Sequence, residues 1–171
     1  MYEDNGGESG VDYLMSQRVL KNLVILDGLN NDPITIMLNS PGGDVNHGLA
    51  IYDAIKACKS HVTVIVYGMA MSMGSIILQA ADERIMSANS SQMIHYGTLA
   101  LDGHAKTTYK VTEELKRIDK WMEKMYLEKI QEKNPLYKIG RLQKLLDHDT
   151  FLTPIQSIEL GLADKILEDR A

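Results

Sequence analysis

Twice in the first half of this 171-residue chain, a short β-branched run is cut off at a glycine and followed by an apolar helical pattern. The first run, Ile34 to Leu38, meets Ser40-Pro41-Gly42-Gly43, and Val45, Leu49, Tyr52 and Ile55 then recur at helical spacing. The second, Val62-Thr63-Val64-Ile65-Val66, meets a break at Gly68 and an apolar helix through Ser75-Ile76-Ile77-Leu78. Such alternation implies a mainly parallel sheet with helices packed on it, because parallel neighbours need a crossover between them. Both glycine loops then lie at the carboxyl ends of strands, where α/β folds place their ligands.

The remaining segments extend this plan. Residues 1–10 are polar and glycine-bearing and read as a mobile lead-in, leaving 11–171 as one domain. Val11, Met15, Val19, Leu23 and Leu26 predict a first helix ending at Asp27-Gly28. Arg84-Ile85-Met86 and Gln92-Met93-Ile94 predict two short strands around an Ala88-Asn89-Ser90 turn. Val111, Leu115, Ile118, Met122 and Met125 mark a long amphipathic helix from Thr107 to about Lys133, stopped by Asn134-Pro135. A shorter helix around Ile139, Leu142 and Leu146 leads to Asp147-His148-Asp149. Thr153-Pro154-Ile155-Gln156 has the order of a capped helix start, Gly161 ends that helix, and Leu162 to Leu167 form a last strand.

Composition removes several function classes. A formal net charge of -5 with no Lys/Arg strip argues against nucleic acid; Lys116, Arg117 and Lys120 are offset by Glu113, Glu114 and Asp119. The single cysteine, Cys58, excludes an intrachain disulfide and a thiolate metal cluster. No apolar run approaches the roughly 18 residues of a membrane span, and no signal peptide is encoded, so the cytoplasm is the expected location. Ten Met against one Phe and one Trp mean that flexible thioethers fill space usually given to rings.

The chemistry concentrates around Ser72. Gly68-Met69-Ala70-Met71-Ser72-Met73-Gly74-Ser75 follows a strand and opens a helix, with small residues two before and two after the serine. A tight strand-to-helix turn of this kind pushes a hydroxyl outward and lets neighbouring backbone pass closely. The segment alone reads equally well as a serine capping a helix. The Pro41-Gly42-Gly43 loop on a neighbouring strand can supply one backbone N–H for an oxyanion, and the Met73 amide at a helix start a second. His95 ends a strand on the same rim. His47 and His148 compete with it as a base, whereas His61 and His104 read as solvated loop residues.

These residues resemble the proteolytic subunit of the Clp protease, ClpP. Leu38-Asn39-Ser40-Pro41-Gly42-Gly43, Gly48-Leu49-Ala50-Ile51-Tyr52-Asp53, Gly68-Met69-Ala70-Met71-Ser72-Met73-Gly74 and Met93-Ile94-His95 match its motifs in the same order, over roughly residues 11–168. The resemblance implies an α/β spiral of strand-strand-helix units of the ClpP/crotonase kind, with the long helix as a protruding handle at about 97–133. It implies a serine endopeptidase with Ser72 as nucleophile, His95 as base, Asp149 as third member and Gly43 and Met73 as oxyanion amides. Asp147 is close enough to compete with Asp149. An extended peptide would be gripped by Gly42, Gly43, Asp44 and Val45 on one side and Thr98 and Leu99 on the other.

The family assembles as heptameric rings stacked into a tetradecamer. It needs no cofactor or metal in the subunit, and ATP enters only through an AAA+ unfoldase. Family members carry an N-terminal segment and strand that gate the axial pore and help dock the unfoldase; only about ten polar residues precede the first helix here. The expectation is a truncated form or a subunit needing a different partner. After His95 this chain reads Tyr96-Gly97-Thr98-Leu99 where the family often has Gln-Pro, and a few extra residues lie around Leu136 to Arg141. A non-catalytic or regulatory ring subunit is the alternative reading. A crotonase-type acyl-CoA enzyme on the same scaffold is another, and it needs no Ser-His pair.

Overall fold

A computed structural model describes residues 10–97 and 104–168. The chain opens with helix α1 (Tyr13–Leu29), whose first turn is capped by Asp12 accepting from the Met15 amide at 2.7 Å. Strand β1 (Ile34–Ser40) and helix α2 (Val45–Ala57) follow, then β2 (Val62–Met71), the short helix α3 (Met73–Gln79), β3 (Glu83–Met86) and β4 (Ser91–Ile94). The second half contributes α4 (Ala105–Lys133), α5 (Ile139–Leu146), β5 (Thr150–Leu152), α6 (Pro154–Leu160) and β6 (Lys165–Ile166).

The sheet is built around β2, in which Val62, Val64 and Val66 are at most 1% exposed. Burying a valine side chain contributes about 1.5–3 kcal/mol, so this alternation anchors the strand at the centre. One edge of β2 pairs with β1. The other edge pairs first with β3, through Thr63 to Val66, and then with β4, through Met69 to Met71. These pairings and β3–β6 are parallel, as the alternating pattern predicts; β4–β5 is antiparallel.

Gly68 does not end the strand, contrary to the sequence expectation. Leu38 pairs with Val66 but Ser40 pairs with Ala70, so Asn39 faces three residues of β2 and Gly68 takes a φ of +79° inside this bulge. The Asn39 side chain closes the gap by accepting from the Met69 amide at 3.3 Å. A bulge increases local twist. It marks the point at which β2 changes its neighbour from β3 to β4.

Two apolar clusters lie on the sheet. Leu23, Ile51, Ile55, Val64, Val66 and Leu78 belong to one, and Met73, Ile94, Met122, Tyr126, Ile130 and Leu142 to the other. Helix α3 contributes to both, and all seven of its residues are buried, the polar Ser75 and Gln79 included. These two belong to a buried polar chain. Ser75 Oγ accepts from Tyr126 Oη and from Gln92 Nε2, both at 2.8 Å, while Gln79 receives a 2.7 Å bond from Arg84. Arg84 also forms a fork with Asp164 and donates to the Gly161 carbonyl, fixing the end of α6 to β3.

Helix α4 starts at Ala105 rather than Thr107, with His104, expected as a solvated loop residue, at its N-cap accepting from the Lys106 amide. Its buried residues begin at Ile118; from Lys106 to Arg117 no side chain is buried, so the first half of the helix is largely exposed among the described residues. The capping box of α6 forms as its sequence predicts, between Thr153 and Gln156. Strand β5 was not foreseen. Among the described residues no helix is long and apolar enough to cross a membrane.

Candidate active site

Ser72 sits in the single residue between β2 and α3, with φ 50° and ψ -120°. It is the only non-glycine residue with positive φ among those described, a conformation costing about 1–3 kcal/mol that surrounding structure must impose. Its own amide donates to the Met93 carbonyl at 3.0 Å, locking the turn to β4. Although Ser72 occupies the N-cap position of α3, its side chain makes no capping bond. The capping reading therefore fails.

The hydroxyl instead meets His95. Ser72 Oγ is 2.8 Å from His95 Nε2, and His95 Nδ1 is 2.9 Å from Asp149 Oδ1. The three residues come from the end of β2, the end of β4 and the start of β5. Since β4 is parallel to β2 and antiparallel to β5, all three ends fall on one rim. The geometry separates Asp149 from Asp147, which ends α5 with its amide bonded to the Gln143 carbonyl. It also separates His95 from His47, whose ring lies edge-on to Tyr13, and from His148. The His95 side chain is 15% exposed and that of Asp149 60% exposed, so water screens the charge of Asp149. What Asp149 supplies is chiefly a directed acceptor: a carboxylate on Nδ1 leaves Nε2 as the basic nitrogen facing Ser72.

The Pro41-Gly42-Gly43 loop packs directly against this turn. A β-carbon on Gly42 would lie 2.7 Å from Ser72 Cβ and 3.2 Å from the Met73 nitrogen. Gly42 donates to the buried Ser40 hydroxyl at 3.2 Å. Val11 lies along the far side of the loop: its amide donates to the Gly42 carbonyl at 2.6 Å, and its carbonyl accepts from Asp44 at 2.8 Å. Among the described residues, the amides of Gly43 and Met73 have no backbone acceptor. Asp44 caps α2 through its side chain, accepting from the His47 amide at 3.0 Å, and Val45 packs on the second apolar cluster. Thr98 and Leu99, expected to complete a peptide groove, lie outside the described residues, as do residues 1–9 of the lead-in.

A profile of the Clp protease family matches residues 8–170. The chain belongs to the Clp protease family. It is 34% identical over 165 residues to the chloroplastic ATP-dependent Clp protease proteolytic subunit 3 of Arabidopsis thaliana, covering 94% of this chain and 52% of the relative. It is 31% identical over 161 residues to the ATP-dependent Clp protease proteolytic subunit of Deinococcus radiodurans, covering 92% of this chain and 76% of that protein. The chain thus spans about half the length of the first relative. The solved structure of a ClpP1 mutant from Listeria monocytogenes superposes with a TM-score of 0.83 at 28% identity, covering 94% of this chain and 88% of the other. The α/β spiral expected from the motifs is therefore the Clp protease fold.

Sequence reasoning missed one group at this site. Tyr96, next to His95, donates its hydroxyl to Glu123 on α4. Burial, then this bond to a carboxylate, push the Tyr96 phenol well above its ordinary value, which keeps it a donor. The departure from the family motif after His95 was its only local signal.

Proposed function

We propose that this chain is a serine endopeptidase that hydrolyses peptide bonds of unfolded proteins or peptides inside a self-compartmentalised ring. The observation carrying the reading is the unbroken hydrogen-bonded series from Ser72 Oγ through His95 to Asp149, with the serine side chain released from any capping role.

In this mechanism His95 Nε2 takes the Ser72 proton as Oγ attacks the scissile carbonyl. The oxyanion is received by the amides of Gly43 and Met73, one from each loop at the rim. Collapse expels the amine with the proton returned by His95, leaving an acyl-Ser72 ester that water, deprotonated by the same imidazole, hydrolyses. Asp149 holds the imidazole tautomer throughout. Gly42, Gly43, Asp44 and Val45 border the groove in which an extended substrate adds as a strand.

Assembly into stacked heptameric rings is supported by apolar surface the protomer leaves uncovered. Val24 and Leu29 on α1 are 74% and 72% exposed, and Tyr109 on the first half of α4 is 74% exposed. No cofactor takes part in the subunit's own chemistry. ATP would enter only through a partner AAA+ unfoldase.

The test is covalent labelling by a fluorophosphonate, with intact mass and native size read on one sample. Wild type labelled once per subunit in a large particle, with Ser72→Ala unlabelled, is the expected result. An assembled ring whose Ser72 does not react overturns the catalytic reading in favour of a regulatory subunit.

A further inference from the structure

One carboxylate on α4 joins the two segments that hold His95 and Asp149. Glu123 Oε1 accepts from Tyr96 Oη, on the residue following His95, and from Gln143 Nε2 on α5 at 3.2 Å. Two further bonds complete the arrangement. The Tyr96 amide donates to the Leu146 carbonyl at 2.8 Å, so the chain leaving β4 is stitched to the end of α5. Thr150, next to Asp149, donates its hydroxyl to the Leu145 carbonyl at 2.6 Å. The chain on either side of the His95–Asp149 pair is thus tied to the last turn of α5, and α5 and Tyr96 are both tied to Glu123.

The surroundings favour a persistent contact. Tyr96, Glu123 and Gln143 are each partly buried, so the bonds are shielded from competing water. Asp119, one turn earlier on α4, has its carboxyl pushed up by burial and by the neighbouring charge of Glu123. A phenol and a primary amide converge on one oxygen of Glu123, and hydrogen bonds to a carboxylate are about twice as strong as neutral ones.

We propose that Glu123 is a positioning residue for the reaction, acting through Tyr96 and Gln143 to hold His95 at hydrogen-bonding distance from both Asp149 and Ser72. This rests on the peptidase reading. It adds that the site is not self-sufficient on its rim and needs a side chain from α4. Glu123 touches none of the three reacting side chains; its effect is to keep the imidazole from swinging with the chain beyond β4. Misplacement of a reacting group by about 1 Å costs up to about a hundredfold in rate, and that sets the scale of the effect.

The experiment compares kcat and KM on a fluorogenic peptide for the assembled full-length protein, with the fluorophosphonate rate on the same preparations. Tyr96→Phe deletes one hydroxyl, and Glu123→Ala removes the shared acceptor. Both are expected to lower kcat and the labelling rate in step by roughly ten- to hundredfold, with KM within about twofold. Glu123→Gln retains an acceptor oxygen and is expected to recover most of that loss. The double variant Tyr96→Phe/Glu123→Ala is expected to be no slower than Glu123→Ala, which already removes the contact that Tyr96→Phe breaks.

Gln131→Ala serves as the structural control. It deletes a 2.9 Å bond from α4 to the Tyr137 carbonyl and is expected to lower thermal stability without touching kcat. The proposal is overturned if Tyr96→Phe and Glu123→Ala keep wild-type kcat, if the loss falls on KM alone, or if Gln131→Ala slows kcat equally. A wild type that leaves Ser72 unlabelled overturns the peptidase reading instead, and this proposal with it.

Discussion

Replacing Gly43 by alanine tests how the loop opposite Ser72 is held. The φ of Gly43 is +140°, a conformation that costs a side-chain-bearing residue about 1–3 kcal/mol. The added β-carbon would lie 2.4 Å from the Val11 nitrogen and 2.5 Å from its carbonyl oxygen. Both are backbone atoms with no rotamer to yield, so Val11 has to retreat by roughly 1 Å to reach ordinary contact distance. That retreat stretches the bonds from Val11 to Gly42 and from Asp44 to Val11, each contributing about 0.5–1.5 kcal/mol. Together the effects predict a loss of about 3–5 kcal/mol, and for a chain of this size each kcal/mol is about 2–4 °C in Tm. The midpoint should fall by about 6–20 °C, read by calorimetry at fixed subunit concentration because assembly shifts Tm by mass action. Gly28→Ala is the internal control: a β-carbon there meets nothing within 4 Å, and the substitution near the end of α1 should be neutral or stabilising. The Gly43 amide also moves with its loop, so fluorophosphonate labelling should slow. A Gly43→Ala protein that melts within about 2 °C of wild type would refute the claim that Val11 and a left-handed backbone demand this glycine.

Two other predictions follow from the site and its frame. Asp149→Asn, which offers Nδ1 the wrong partner, should lower kcat by about a hundred- to ten-thousandfold, whereas Asp147→Asn should leave it within about threefold; equal effects would mean that the His95–Asp149 contact does not orient the imidazole. Burial opposes the charge of Asp164, but hydrogen bonds from the Arg84 side chain and backbone outweigh it and hold the carboxyl below its ordinary value of 3.8. A depressed carboxyl stabilises the fold above the ordinary value, and that contribution is lost as pH falls through the lower folded value. The Tm gap between wild type and Asp164→Asn should therefore be constant from pH 7 to 5 and narrow on acidification below about pH 4; a gap unchanged down to pH 2 would remove Asp164 from the account.

What could be read along the chain was whatever rests on neighbours within a turn or two. The valine alternation of β2, the Thr153–Gln156 capping box and the period of α4 are local signals, each carried by side chains or amides a few residues apart. The small residues around Ser72 likewise encode a turn, and the ordered motifs were sufficient for the Clp protease family. Spacing alone could not say that the serine hydroxyl is free, because an N-cap and a nucleophile elbow share one local pattern. That was decided by β4, which brings His95 to 2.8 Å of Ser72.

The same distinction explains the other differences. Strand β5 has three residues, too few for a period, and exists because it pairs with β4; that pairing also chose Asp149 over Asp147. Gly68 reads locally as a break and becomes a bulge only because Asn39 of a neighbouring strand fills the gap. Arg84 with Asp164 and Tyr96 with Glu123 join residues 80 and 27 positions apart. Their energies come from excluding water around groups that meet only after the chain has folded, and no window of sequence contains both partners.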